Sequence, residues 1–513
     1  MINTGSGKLA DKNPLGLEIN PPVFWTSAII VIGFLVFGLI NIKAVGTLFN
    51  TARLWVCEYT GWFFVIVVNV ILFYMIFLFF SKYGKLKIGG PDSQPRCSLF
   101  VWFCMLFSAG TGIGLVFFGV AEPIYHYITP PPLGVAAETI AAAKLSMAIT
   151  FFHWGFHAWA LYAFLGLGLG FFAFSRGLPL AISSVFYPLI GKKIYGPIGI
   201  AIDIFASVAT LFGLATSQGL AVSQINAGLN YILGIPISTT VQIILIGIIT
   251  VCVTVSVVGG VYSGIKQLSI ITIVLSIFLM AFTFLAGPTL VILNAIPQNI
   301  GNFFNQFWNI ALFSEAFSQI PRQNCWTIFY WAWWITWAPV VGMFIARISR
   351  GRTVKEFITG VLFAPTLLTF LWLTIFGSSA LYMEMFKDVE IAQAIDKDIS
   401  IAIYTFFENL RLSGISSITV IVLAALFFIT SSNSATLVIT IITGGGKTNP
   451  PTIQRVFWAG LQGGVAAALL LGGGLIALQS ATLVAGLPLT GILLAMLFSL
   501  KKGLDEEYDS VYG

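Results

Sequence analysis

Runs of about twenty mostly apolar residues recur along the chain, separated by short polar segments that carry nearly all the charge. That length is what an α-helix needs to cross the hydrocarbon core of a bilayer. Twelve such segments can be read, beginning near Val23, Trp62, Phe100, Leu145, Ile198, Thr239, Leu268, Thr327, Phe357, Ile415, Phe457 and Leu487. The boundary between Ser217 and Ile235 is the least defined. The pattern predicts an all-α membrane protein with twelve transmembrane helices. The 296–325 loop holds an amphipathic stretch, 303–317, suited to lying along a membrane surface. The acidic loop 383–414 suits a short helix over the outer face.

Composition sharpens this. Of 513 residues, 58% are hydrophobic and 9% charged, whereas a soluble domain carries about 25% charged residues. Residues 1–22 are polar and lack an apolar core with a small-residue cleavage site, so the first apolar run reads as a retained anchor. With the N-terminus inside, 18 of the 25 Lys and Arg residues fall on cytoplasmic segments. The positive-inside rule then puts both termini in the cytoplasm of a bacterial inner-membrane protein. The formal charge of +6 is thereby a topology signal, and no nucleic-acid partner is expected. The five cysteines have no CxxC or metal-ligand spacing, which argues against disulfides and zinc. No nucleophile-base pair or soluble catalytic domain is present, so an enzyme is not expected.

Candidate chemistry gathers in four places. Ser108 to Leu115 reads SAGTGIGL, with Gly110, Gly112 and Gly114 spaced by two. Close helix packing would use small residues on one face; period two instead suits an unwound stretch whose carbonyls bind a cation. The run FHWGFHAWALY supplies Trp154, Trp159 and Tyr162. On a continuous helix the two indoles lie about 140° apart with Tyr162 between them. Trp326, Tyr330, Trp331, Trp333, Trp334 and Trp337 crowd one later segment. An interfacial belt accounts for Trp326 and Tyr330, but not for Trp334 and Trp337, two to three turns deeper. Such rings attract onium groups by about 0.5–2 kcal/mol each when desolvated, without a counter-carboxylate. FFITSSNSAT, 427–436, offers hydroxyls that bond back to their own helix or serve a small hard cation. Glu122 and Asp203 are each either an ion site or a structural cap or pair. His153 and His157, one turn apart, form a possible metal pair without a third ligand.

SAGTGIGLVFFGVAEP (108–123), HWGFHAWALY (153–162), WTIFYWAWWITWAPVVGMFIARISRGRTVKEF (326–357) and FFITSSNSA (427–435) together resemble the betaine/choline/carnitine transporter family. The resemblance covers the twelve-helix core. It implies two inverted five-helix repeats, helices 3–7 and 8–12, after two extra helices, and a homotrimer. The segments are then 1–22 tail, 23–97 helices 1–2, 98–295 first repeat, 296–325 outer loop, 326–500 second repeat and 501–513 tail.

It further implies sodium-coupled import of a betaine-type solute (glycine betaine, choline, carnitine or dimethylsulfoniopropionate class), or else proton symport or substrate/product exchange. No cofactor is implied beyond Na⁺ as coupling ion. The substrate box maps onto Trp154, Trp159, Tyr162 and Trp334, with Trp333 and Trp337 along the same path and Gly110, Gly112 and Gly114 beside it. The principal sodium site maps onto backbone carbonyls of Ser108, Thr111 and Phe427 and the hydroxyls of Thr430 and Ser431. Of a second site only Thr210 is kept, Leu214 and Val340 replacing its other groups. Gly114 stands where proton-coupled members carry aspartate, which favours sodium.

Overall fold

A computed structural model describes residues 16–110, 112–258, 262–317 and 322–513; the side chains of 107–110, 262–266 and 322–324 lie outside the description. The helices are α1 (Pro21–Ile40), α2 (Ile42–Phe80), α3 (Leu99–Gly110), α4 (Ile113–Ile128), α5 (Ile140–Trp154), α6 (Phe156–Gly170), α7 (Tyr187–Ile190), α8 (Pro197–Leu233) and α9 (Thr239–Val258). They continue as α10 (Tyr262–Ala286), α11 (Thr289–Ala311), α12 (Arg322–Ile348), α13 (Val354–Leu373), α14 (Ser379–Phe386), α15 (Ile391–Lys397), α16 (Ala402–Glu408), α17 (Ser413–Thr443) and α18 (Thr452–Tyr512).

Among the described residues, ten helical stretches are long and apolar enough to span a membrane. The two further predicted spans are accounted for by interruptions. The α3–α4 pair is one apolar segment broken near Gly112, whose backbone is extended (φ −162°, ψ 173°). Helix α18 departs from helical geometry at Gly473 and Gly474, dividing it into two apolar arms. Gly474 takes φ +63°, a left-handed value that suits glycine because it has no Cβ.

The boundary left open between Ser217 and Ile235 falls at the end of that interval. Helix α8 runs unbroken to Leu233 and ends on Gly234 in the left-handed conformation, an ordinary glycine stop. The amphipathic stretch expected over 303–317 is helical from Thr289 to Ala311, seating Phe303 against Phe151 and Phe370. The acidic loop holds two short helices, α15 and α16, rather than one. The last residues are not a loose tail. They extend α18 to Tyr512, pinned by Arg176 on Glu506 and Glu507 and by a hydrogen bond from Tyr83 to Asp505.

Burial separates a centre from a periphery. In the apolar windows of α5–α6 and α12, 83% of residues are buried, against 22% in α9 and in α10. The outer helices keep residues such as Val251, Val255 and Val274 on the surface, where hydrocarbon rather than water is the compatible solvent. The polar residues of the site therefore converge on the central helices.

The cysteine reading is corrected. Cys57 on α2 and Cys325 on α12 form a disulfide with Cα atoms 5.3 Å apart. They lie 268 residues apart in sequence, so no local spacing could reveal the pair; helix packing alone brings them within bridging distance. Free cysteines are Cys97, Cys104 and Cys252. Maleimide labelling of denatured, unreduced protein followed by intact-mass measurement should therefore add three labels, rising to five after reduction.

Candidate substrate-binding site

The interruptions in α3–α4 and α5–α6 create the site. Gly155 (φ −97°, ψ −135°) ends α5 and starts α6. The carbonyls just before it accept side-chain donors from other helices: Trp334 Nε1 donates to the His153 oxygen at 2.9 Å and Thr369 Oγ1 to the Trp154 oxygen at 3.2 Å. The break also removes the continuous-helix relation assumed for His153 and His157. His153 turns to Glu122 and Thr327, while His157 contacts Asn69 at 3.2 Å. The proposed His153–His157 metal pair does not form.

A cavity of about 680 Å³, mouth included, opens where the breaks in α3–α4 and α5–α6 face α12. Trp154, Trp159, Tyr162, Trp333, Trp334 and Trp337 all line it, with Gly112 and Gly114 on one side and Ser431 of α17 on another. The structure thus brings together the predicted rings of two distant segments. Trp154 and Trp334 meet edge to face at 4.9 Å between centroids, Trp333 and Trp334 stack at 4.8 Å, and Tyr162 lies 6.2 Å from Trp334. Ile113, Ala158, Ser217, Val341 and Thr369 complete the wall, and among the described residues no charged side chain lines it.

Polar ends of the rings point into protein. Ser217 Oγ accepts both Trp333 Nε1 (3.2 Å) and Trp337 Nε1 (3.1 Å). Trp154 Nε1 donates to Glu122 Oε2 at 2.8 Å. Tying down the N–H groups fixes ring orientation and leaves the electron-rich faces for a ligand. Tyr330 is corrected from an interfacial belt residue to a buried anchor: its hydroxyl donates to the same Glu122 Oε2 at 2.6 Å. It is not among the residues lining the cavity. Trp326 stacks on Tyr125 at 4.0 Å between centroids.

Glu122 is fully buried between α4, α5 and α12. Besides Trp154 and Tyr330, it faces His153 Nδ1 at 2.6 Å, and among the described residues its charged-pair partners are His126 and His153 rather than a loop arginine. Burying a carboxylate is costly unless its lone pairs are satisfied; here the donors are Trp154 of the box and, behind it, Tyr330 and His153. Asp203 has a separate structural role, accepting Ser183 N at 2.9 Å and Ser183 Oγ at 2.7 Å.

Gly114 makes the close approach possible. A Cβ there would lie 2.5 Å from Trp154 Cη2 and 2.7 Å from Trp333 Cη2. Gly112 precedes the first turn of α4, so the free amides and positive end of that helix border the cavity. Gly110 ends α3, with its surroundings outside the description, as are the side chain of Ser108 and all of Thr111.

The remaining ion-site residues are placed as follows. Phe427 is buried, and Thr430 Oγ1 donates to Leu426 O (2.8 Å) and Phe427 O (3.1 Å), which leaves the hydroxyl's lone pairs free to accept. Ser431 borders the cavity, whereas Ser432 and Asn433 bond across helices to Gln462 and Ser256. Thr210 is buried, bonded to Ala206 O at 2.7 Å, and lies outside the cavity lining. Sequence reasoning missed Ser217 and Thr369, single hydroxyls in apolar runs that carry no local signal.

A family model described as betaine/carnitine/choline family transporter matches residues 22–509. The chain belongs to this family. The transporter is 43% identical to a glycine betaine transporter of Acinetobacter baylyi over 95% of its own length and 74% of the relative's. It is 42% identical to the glycine betaine transporter OpuD of Bacillus subtilis over 94% of both chains. An ectoine/glycine betaine/proline transporter, EctP, of Corynebacterium glutamicum is 39% identical over 98% of this chain and 82% of the relative. The transporter is thus a multi-span membrane protein and not an enzyme.

Two substitutions probe the site. Gly114→Ala should weaken solute binding at least about tenfold, by tryptophan-fluorescence titration, because both indoles must retreat. Glu122→Gln keeps the shape but loses acceptor capacity for Trp154, Tyr330 and His153. Leaving buried donors unmet costs about 1–3 kcal/mol, so affinity should fall about 10- to 100-fold while the protein still elutes as a folded species.

Proposed function

We propose that the chain is a sodium-coupled symporter that imports glycine betaine or a closely similar onium zwitterion by alternating access. The observation that carries this reading is a cavity walled by six aromatic residues and lacking a charged lining residue. Inside a bilayer such a site suits a permanent cation that carries its own counter-charge, since a free cation would otherwise need a protein carboxylate.

In this reading the trimethylammonium group sits among Trp154, Trp159, Tyr162 and Trp334. Trp333 and Trp337 line the path beside it. The carboxylate faces Gly112 and Gly114 at the start of α4, where backbone amides and the helix dipole favour negative charge. Sodium is held by carbonyls of Ser108, Thr111 and Phe427 with the hydroxyls of Thr430 and Ser431. One cation per zwitterion makes import electrogenic, gaining about 2.3 kcal/mol per 100 mV. The reading includes a homotrimer in a bacterial inner membrane with both termini cytoplasmic, in line with the basic residues on the inner loops. The relatives' printed names support the solute class.

The test is uptake of labelled glycine betaine into proteoliposomes under an imposed sodium gradient. Trp334→Ala should raise KM about 10- to 30-fold, the equivalent of losing one desolvated cation–π contact. Ser431→Ala should raise the sodium concentration for half-maximal rate several-fold with less effect at saturating sodium. Uptake that proceeds unchanged with potassium in place of sodium would rule out the coupling, and counterflow without any ion gradient would establish exchange instead.

A further inference from the structure

We propose that Glu122 Oε1, His126 and His153 form a binding site for a divalent transition metal of the zinc class, separate from the solute cavity. The chain has only three histidines, and two of them meet at this carboxylate. One ligand atom from each of the three residues can be chosen so that all lie within 4.8 Å of one another, and all three side chains are fully buried.

The second observation is His126 itself. It lies one helical turn beyond Glu122 on α4, with Nε2 3.6 Å from Glu122 Oε1, and neither ring nitrogen has a hydrogen-bond partner. A buried imidazole with both nitrogens unsatisfied is uncommon. Here it is aimed at a carboxylate oxygen that already faces a second imidazole at 2.6 Å. Two nitrogens and one oxygen make the His₂Glu set of three-ligand zinc sites, which keep a fourth position for water. Bonds of about 2.0–2.1 Å in a tetrahedron separate ligand atoms by about 3.3 Å. The Glu122–His126 gap of 3.6 Å is close to this, His153 would retreat from Glu122 by less than about 1 Å, and the two imidazole nitrogens, within 4.8 Å of each other, would close by up to about 1.5 Å.

The surrounding groups tolerate both states. Without metal, the His153 Nδ1–H donates to Glu122 and Nε2 accepts from the Thr327 hydroxyl. With metal on Nδ1, the proton resides on Nε2, which donates to Thr327 Oγ1 across the same 3.0 Å. The two carboxylate oxygens divide the work, because Oε2 holds Trp154 and Tyr330 and is not needed for the metal. A second cavity, lined in part by Arg53, Phe118, Tyr125 and Trp326, lies nearby without being lined by any of the three ligands. The Trp326 ring lies 5.3 Å from that of His126. Metal would tie α4 to α5, and through Thr327 to α12, at the corner that holds the box. Zinc should therefore slow solute uptake from outside the cavity.

The experiment uses the full-length, untagged transporter in detergent, stripped with chelator. Co²⁺ is the first probe, since N/O ligation with tetrahedral geometry gives strong visible d–d bands; Zn²⁺ calorimetry is the second. Wild type should show the bands, lose them on adding Zn²⁺, and bind Zn²⁺ at least about tenfold more weakly at about pH 6 than at about pH 7.5, as metal displaces imidazole protons. His126→Asn should abolish the bands and lower Zn²⁺ affinity at least about tenfold, with solute binding retained. His126→Cys, which keeps a zinc ligand, should keep Zn²⁺ binding, so that lost folding and lost ligation are told apart. Absence of Co²⁺ bands in wild type, or equal Zn²⁺ affinity in wild type and His126→Asn, overturns the proposal.

Discussion

A single carboxylate in the middle of the helical core sets the geometry on which the rest depends. Glu122 takes its hydrogen bonds from Trp154 on α5, Tyr330 on α12 and the His153 ring. These are groups from different helices, so its burial is tolerable only when those helices are in place. The coupling runs both ways. The carboxylate fixes the indole of Trp154, and the rings that surround it keep water out. A charge that might have served as the ligand's counter-ion serves instead as scaffolding for neutral rings.

That division of labour explains why the cavity can be uncharged. Trp154, Trp333, Trp334 and Trp337 each hand their N–H to a protein acceptor: Glu122, Ser217 of the cavity wall, the His153 carbonyl and Ser217 again. What these rings leave toward the cavity is π faces rather than donors. Such a wall attracts a cation whose charge is buried in methyl groups and is poorly suited to a hydrated metal ion or a free carboxylate. The negative end of a zwitterion then needs a different partner, and the start of α4 is the nearest feature of suitable sign.

The breaks in the helices are as important as the rings. At Gly112 and Gly155 the chain leaves helical geometry inside apolar segments. Backbone groups freed there must find partners, because lipid offers none. Thr369 and Trp334 supply them at Gly155. The break at Gly155 therefore exposes polar backbone where protein satisfies it, whereas the amides at the start of α4 face the cavity.

Much of this was legible in the residues themselves. Hydrophobic runs of spanning length determine an all-α membrane protein because the bilayer leaves helices as the economical answer for such runs. The aromatic clusters and the glycine run stand out in the sequence, and the six rings share one cavity with Gly112 and Gly114. The sequence could not say that Tyr330 lies behind the wall rather than at an interface. Nor could it say that His153 turns away from His157, or that Cys57 reaches Cys325. Those outcomes depend on a helix break and on packing between segments hundreds of residues apart, and neither leaves a periodic trace. Ser217, one hydroxyl among many, became the acceptor for two indoles only because α8 crosses α12 there. Local chemistry along the chain named the materials of the site. Which side chain each would meet was decided by three-dimensional packing, since hydrogen bonds of about 3 Å reach only what the fold has already brought together.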